Sequence, residues 1–218
     1  MLVELNDVLG AVGELTLVDV GASGGTPRIW RELAAHSVYV GFDPDAREIR
    51  EERARGFRRA VYINKAVGTA ASGEVRFYLT RSPYCSSTLL PNTRVTESFL
   101  SADSFTIQGE CTAPVTTVAE AIKRLGLSHV DWLKVDTQGT DLSIFKSLPD
   151  NMRGSLLAVD LEPGLRGAYV GEELFSDVHA VMQKEGFWLS RMDVLGFPRM
   201  RKSTLDRLAT ATRSRRCR

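Results

Sequence analysis

The sequence predicts an α/β fold with a mostly parallel central sheet, and three observations carry that expectation. Short runs of almost wholly apolar residues recur, as strands buried on both faces require. Segments of helical periodicity separate them. Three of the runs close on Gly21, Asp43 and Asp136. In an open α/β sheet, ligands bind outside the carboxyl ends of the strands, so these closures are where function is sought.

Leu15–Val20 reads as the first strand; it ends in Gly21-Ala-Ser-Gly-Gly25 and leads to a helix from Pro27, with Ile29/Leu33 and Trp30/Ala34 at i, i+4. Val38–Phe42 is the second strand, followed by a charged helix over Ala46–Arg55 that Gly56 stops. Val61–Ile63 is the third. Glu74–Leu79 and Phe105–Thr116 then break the alternation and read as an inserted β-ribbon within about 73–116. Thr117-Val-Ala-Glu120 matches a capping box for a helix with Val118, Ile122 and Leu125 on one face. Val130–Val135 is the fourth strand, with a helix from Asp141 to Leu148, and Ser155–Leu161 the fifth. A helix over Glu172–Glu185 turns Leu174, Val178, Val181 and Met182 inward; Phe187–Arg191 reads as a sixth strand, and a seventh is placed near Pro198–Lys202.

The 218 residues suit one compact domain, and 43% hydrophobic with 25% charged residues is the balance of a globular enzyme. The net charge of +1 conceals an asymmetry. Residues 199–218 hold eight of the 28 Lys and Arg and one of the 27 acids, which leaves 20 basic and 26 acidic groups, a balance of −6, over 1–198. The chain divides accordingly into a domain over 1–198 and a basic tail over 199–218. That tail suits an anionic partner or simply a solvated terminus. No apolar run approaches the roughly 18 residues of a membrane span. Cys85, Cys111 and Cys217 are scattered and odd in number, and Met1–Asp7 lacks a basic n-region, so a cytoplasmic protein is expected.

The glycine turn lets a nucleoside ligand approach the backbone, and Asp43 follows Gly21 by 22 residues, the spacing at which an acid on strand two accepts both ribose hydroxyls. An ordinary βα turn and a helix N-cap at Asp43 are the plainer alternatives. The turn is G-x-x-G-G, unlike the G-x-G-x-x-G that sets a helix end against a pyrophosphate, and no Tyr-x-x-x-Lys pair is present. A ligand without a pyrophosphate fits better than a nicotinamide dinucleotide.

Val18-Asp-Val-Gly-Ala-Ser-Gly-Gly25, Gly41-Phe-Asp-Pro-Asp45, Asn64-Lys-Ala-Val-Gly68, Ser86-Ser-Thr-Leu89 and Leu133-Lys-Val-Asp-Thr-Gln-Gly-Thr-Asp-Leu142 follow one another in the chain. In content and order they resemble the FkbM-family methyltransferases over roughly residues 15–190. Lys134, Asp136 and Gly139 match that family's Lys-Ile-Asp-Val-Glu-Gly-x-Glu form, whereas Gln138 and Asp141 depart from its acidic positions. The resemblance implies a Rossmann-like class I methyltransferase fold that binds S-adenosyl-L-methionine and methylates hydroxyls, often on sugars or polyketides. It implies that Gly21, Ala22, Ser23 and Gly24 hold the methionine part, with Asp19 in the same cofactor-binding set. Asp43 would take the ribose, Asn64, Lys65 and Ala66 the adenine edge, and Asp136 would line the methyl donor or the acceptor.

Methyl transfer from a sulfonium is an in-line displacement, so the protein aligns two groups and removes a hydroxyl proton. Asp136 and Glu162, both at strand ends, are the candidates for base or substrate anchor; capping or amide binding is the plainer role for each. Tyr84, Ser86 and Ser87 lie in a turn-rich stretch suited to bind the acceptor, with Tyr84 able to stack on a sugar ring. His36, His129 and His179 read as structural. No dense acidic motif marks a metal, although Asp136, Asp160 and Glu162 carry the oxygen chemistry for one. The expected acceptor is a small molecule or a glycan. Two other readings stay open: an RNA methyltransferase, drawing on the basic tail but lacking an Asp/Asn-Pro-Pro-aromatic motif, and a Rossmann-like binding protein without catalysis. Monomer and homodimer are both compatible with the sequence.

Overall fold

The computed structural model describes residues 13–23, 26–44, 55–70, 72–194, 203 and 206–207. Gly24, nearly all of the expected 46–55 helix, the seventh strand near 198–202 and most of the basic tail fall outside the described residues. The chain forms two compact units, Met1–Arg76 with Thr112–Glu162, and Phe77–Cys111 with Pro163–Arg218.

The first unit holds a five-stranded sheet of β1 (Leu15–Val20), β2 (Ser37–Phe42), β3 (Arg59–Ile63), β7 (Trp132–Val135) and β8 (Ala158–Leu161). Their order is β3-β2-β1-β7-β8, and every pairing is parallel. The chain winds outward from β1 through β2 to β3, then returns to the other side of β1 with β7. The switch point of this mostly parallel Rossmann-like sheet therefore lies between β1 and β7. All residues of β1 and β2 are buried, which is why both read as apolar runs without alternation.

The two faces of the sheet differ. Leu15, Leu17, Trp30, Leu33 and Tyr39 form a buried cluster against which Phe57, Tyr62 and Trp132 pack. Trp30 meets Tyr39 and Trp132 edge-on at centroid distances of 6.3 and 6.0 Å, the geometry aromatic quadrupoles favour. Helix α1 (Arg28–Leu33) contributes Trp30 and Leu33 to this face, while Ile29, expected inward, is exposed. Of the two predicted pairs, Trp30/Ala34 is buried, whereas in Ile29/Leu33 only Leu33 is. The opposite face carries Val18, Val20, Val38, Val40 and Phe42, all essentially inaccessible to solvent.

β4 (Ala66–Val67), β5 (Glu74–Thr80) and β6 (Ile107–Thr116) make a second sheet in the order β4-β6-β5. Val115 N donates to Gly73 O, and Arg81 N to Thr106 O, so β5 and β6 run antiparallel as the expected ribbon. α2 (Thr93–Thr96) lies between them in the chain, and α3 (Val118–Arg124) follows β6. Thr117 caps α3 by accepting from Glu120 N at 3.1 Å, while the Glu120 carboxylate turns to Arg124. α4 (Asp141–Lys146) and α5 (Asp150–Arg153) follow β7, and α6 (Phe175–Lys184) is shorter than the expected 172–185 helix. In α6 only Val178 is fully buried; Leu174, Val181 and Met182 are half-buried. The expected sixth strand at Phe187–Arg191 does not form: the segment is irregular and Trp188 is 84% exposed. A strand needs a partner as well as a run of β-formers, and 187–191 has none among the described pairings.

Candidate functional site

The register of the sheet sets one residue beyond each strand along a common line. Val20 pairs with Phe42 and Val135, Phe42 with Ile63, and Val135 with Leu161. The next residues are therefore Asn64, Asp43, Gly21, Asp136 and Glu162, in that spatial order along the carboxyl edge. Four of the sequence-predicted positions and the glycine turn are brought to one edge by this register alone.

Gly21 sits at the switch point with φ +81°, and a Cβ there would overlap the Asp136 carbonyl oxygen. Only glycine permits both the left-handed backbone and this approach of the β1 and β7 ends. Gly21 N and Ala22 N both donate to Phe42 O, at 3.0 and 2.9 Å, so the turn folds back over β2. Ala22 is buried and Ser23 half-exposed. Asp43 is buried at the end of β2, and its N–H donates to Ile63 O at 3.3 Å.

Asn64 is exposed, yet its amide donates to the carbonyls of both Asp43 and Pro44 at 2.9 Å. It clasps the loop that carries Asp43. Lys65 is half-buried, and Ala66 is buried within β4, where it pairs with Val115.

Asp19 lies inside β1 and not at its end. Its carboxylate accepts from Tyr39 Oη at 3.0 Å and from Lys134 Nζ at 3.3 Å. A side chain at Gly41 would collide with the Tyr39 ring, whose nearest atoms lie 2.9 Å from the ideal Cβ position. The absence of one lets that ring run along the strand to Asp19. Burial pushes the Asp19 carboxyl up, against the pull of Lys134 and Tyr39. Lys134 is buried too, which alone would favour its neutral form, but Asp19, Asp136 and Glu162 face it and hold it protonated.

Asp136 continues this chain of charges. Its Oδ2 lies 3.9 Å from Lys134 Nζ, and its Oδ1 accepts from Gln138 Nε2 at 2.7 Å. Gln138 has φ 59°, the only non-glycine residue with positive φ among those described. Asp141 locks the same turn: Oδ1 accepts from Thr137 N at 3.0 Å and Thr137 Oγ1 at 2.6 Å, while Oδ2 accepts from Glu162 N at 2.9 Å. One buried carboxylate thus ties the end of β7 to the end of β8. Burial raises the Asp141 carboxyl above its ordinary range, with the Thr137 and Glu162 hydrogen bonds opposing the rise.

Glu162 opens to solvent on one side, yet its carboxyl is pushed up to about 7. Partial burial is the largest cause; repulsion from Asp136 comes next, opposed by Lys134, with Asp141 and Asp160 adding to the rise. Asp160 accepts from Trp132 Nε1 at 3.0 Å. Among the described residues, no group of three or more His, Cys, Asp and Glu side chains is arranged to hold a metal ion.

The roles of Gln138 and Asp141 were missed by sequence reasoning. The available signals were the Gln-Gly pair, which suits a left-handed turn, and an acid at the first position of a helix four residues after a threonine.

In the second unit, Tyr84 is 70% exposed. Ser86 Oγ accepts from Thr80 N at 3.1 Å, and Ser87 is buried with its Oγ accepting from Leu89 N at 3.0 Å. Both serines brace their own turn, and Ser87 joins Tyr78 through an antiparallel bridge. The histidines are held locally: His129 Nε2 lies 3.1 Å from Asp131 Oδ2 at the amino edge of the sheet, and His179 stacks on Phe175.

An all-parallel five-stranded sheet wound outward from β1, a glycine turn at its switch point and an acid ending β2 together define a Rossmann-like α/β fold with its ligand edge at the carboxyl ends of the strands. The model of the Methyltransferase FkbM domain matches residues 19–189, and the chain belongs to that family of methyltransferases. Comparison with curated proteins and with solved structures finds no match. Among the described residues, no helix is long and apolar enough to cross a membrane.

Proposed function

We propose that the chain is a cytoplasmic enzyme that transfers a methyl group from S-adenosyl-L-methionine to a hydroxyl of a small molecule or glycan, with a sugar as the acceptor. The observation that carries this reading is Glu162, a carboxyl near 7 at the end of β8, in line with Asp136, Gly21 and Asp43 along the carboxyl edge.

The donor set fits the cofactor: Asp43 supplies a buried carboxylate for a ribose diol, and Asp136 a carboxylate compatible with a cation. Gly21, Ala22 and Ser23 offer a close-lying backbone for the methionine part. Because the Asn64 side chain clasps the Asp43 loop, the backbone of 64–66 is the better part of that segment for an adenine edge. When bound along Asp43, the 21–23 backbone and Asp136, the cofactor would supply an electrophilic methyl group on a sulfonium for the acceptor oxygen, with the neutral thioether as leaving group.

Glu162 takes the acceptor's hydroxyl proton. A base with a pKa near the working pH combines an available ionised form with adequate basicity and contributes about 10²–10⁴-fold. Lys134 beneath Asp136 and Glu162 keeps the group of acids from being uniformly repulsive. Tyr84, exposed and aromatic, supports an acceptor role better than Ser86 and Ser87, whose hydroxyls already serve their own turn.

The test is a transfer screen with methyl-labelled cofactor against sugars, glycans and RNA, followed by single-turnover rates with the best acceptor. Label should enter a hydroxyl of a sugar or glycan. The rate should climb to a plateau with a midpoint near 7, and Glu162→Gln should abolish that climb and lower the plateau about 10²–10⁴-fold. Label entering only RNA, or a fully active Glu162→Gln enzyme, would overturn the assignment.

A further inference from the structure

The turn after β7 is fixed more tightly than a connection between a strand and a helix requires. Thr137 is held through both its N–H and its hydroxyl by Asp141, and Asp136 N donates to Val20 O at 2.9 Å across the switch point. Between these anchors, Gln138 adopts a left-handed backbone that side chains of its kind rarely accept. Its neighbour Gly139, at φ 113°, would take such a conformation at no steric cost. Backbone strain of this kind persists where the surroundings over-determine it.

The strained conformation is accompanied by one contact of clear chemical meaning: the Gln138 amide donates to Asp136 Oδ1 at 2.7 Å. An amide donor steadies and aims a carboxylate without neutralising it, whereas an ammonium in the same place would cancel its charge. The charge of Lys134, 3.9 Å from the other oxygen, is shared with Asp19 at 3.3 Å and cannot be spent on Asp136 alone. The Asp136 side chain is 24% exposed, so the anchored carboxylate keeps a face open to a ligand.

We propose that Gln138 is a positioning residue that holds Asp136 as the counter-charge to a sulfonium, making this turn selective for S-adenosylmethionine over its neutral thioether product. This rests on the cofactor reading given above and deepens it. The two ligands share the nucleoside and the amino acid and differ in one methyl group and one positive charge. An aimed carboxylate discriminates between them by charge, which favours release of the product after transfer. Asp43 and the glycine turn meet the parts the two ligands have in common and provide no such discrimination.

Calorimetry of both ligands with the full chain tests this without knowledge of the acceptor. Relative to the wild-type chain, Asp136→Asn and Gln138→Ala should each reduce the ratio of S-adenosylmethionine to S-adenosylhomocysteine affinity about tenfold, the scale of one partly exposed charge interaction. Affinity for S-adenosylhomocysteine should hold. Gln138→Gly removes the amide and relieves the left-handed backbone, so it should lose the same ratio with an undiminished melting temperature. A merely structural Gln138 would instead lower both affinities together. An unchanged ratio in Gln138→Ala and Gln138→Gly, with wild type binding both ligands, would overturn this inference and leave the cofactor reading standing. Failure of the wild-type chain to bind either ligand would overturn the cofactor reading and this inference with it.

Discussion

On the β1 and β2 side of the switch point, the carboxyl edge is built mostly from backbone. Gly21 and Ala22 share one carbonyl of Phe42, Asn64 clasps the Asp43–Pro44 carbonyls, and Asp43 is the lone acid on the line there. On the β7 and β8 side, the edge is built from side-chain charge: Asp136, Asp141 and Glu162 surround a turn, with Lys134 below. Under the proposed function this contrast is a division of labour. A ligand's invariant parts are best met by fixed backbone and one buried acceptor, whereas the moving proton and the changing charge need groups whose ionisation the surroundings can tune. Lys134 and Asp19 join the two sides, since β1 contributes the acid and β7 the base of one buried pair.

Breaking that joint should be the most damaging change. Lys134→Met leaves the Asp19 carboxylate buried without its ammonium and should cost about 3–5 kcal/mol of stability, read by urea denaturation. Asp19→Asn combined with Lys134→Met should recover much of the loss, because neither charge then remains. Equal destabilisation of the single and double variants would show that packing, and not charge pairing, holds β1 to β7.

Asp43→Ala probes the β1 and β2 side. If Asp43 is the proposed charge-assisted acceptor for the ribose, worth roughly 1.5–3 kcal/mol, cofactor affinity should fall about tenfold to a hundredfold in calorimetry. The Glu162 titration should be untouched. Unchanged affinity with a lower melting temperature would return Asp43 to a purely structural role.

The smallest effect concerns stability and pH. The folded Glu162 carboxyl titrates at about 7, above its ordinary value of 4.5, so the folded chain binds a proton more tightly there than the unfolded one. Stability from this group is full below the unfolded value and declines as pH rises from there through about 7. Glu162→Gln removes that decline, so its melting temperature should gain on the wild type between pH 5 and 8. A constant difference across that range would mean that Glu162 is not perturbed.

Strand ends were legible because a parallel strand buried on both faces is a largely continuous apolar run, and each such run closes on a glycine or an acid. Val20 before Gly21, Phe42 before Asp43 and Val135 before Asp136 all follow this pattern. Side-chain partners were not legible. Asp19 lies within such a run, and its reach to Tyr39 depends on Gly41 of the neighbouring strand having no side chain. Gln138 departs from the family's acidic form, yet its amide donates to Asp136, a contact set by a backbone angle that periodicity does not encode. Phe187–Arg191 shows the converse limit: a run of β-formers remains irregular, with Trp188 and Leu189 exposed, where the described structure gives it no strand to pair with.

In the proposed function, the line from Asp43 through Gly21 to Asp136 holds S-adenosylmethionine. Calorimetry of the full chain with S-adenosylmethionine, S-adenosylhomocysteine, NAD and NADP tests it most directly. The first two should bind, more weakly after Asp43→Ala, and neither dinucleotide should bind comparably. Tight binding of NAD or NADP without binding of S-adenosylmethionine would contradict it, since the same sheet and glycine turn would then be serving a pyrophosphate ligand.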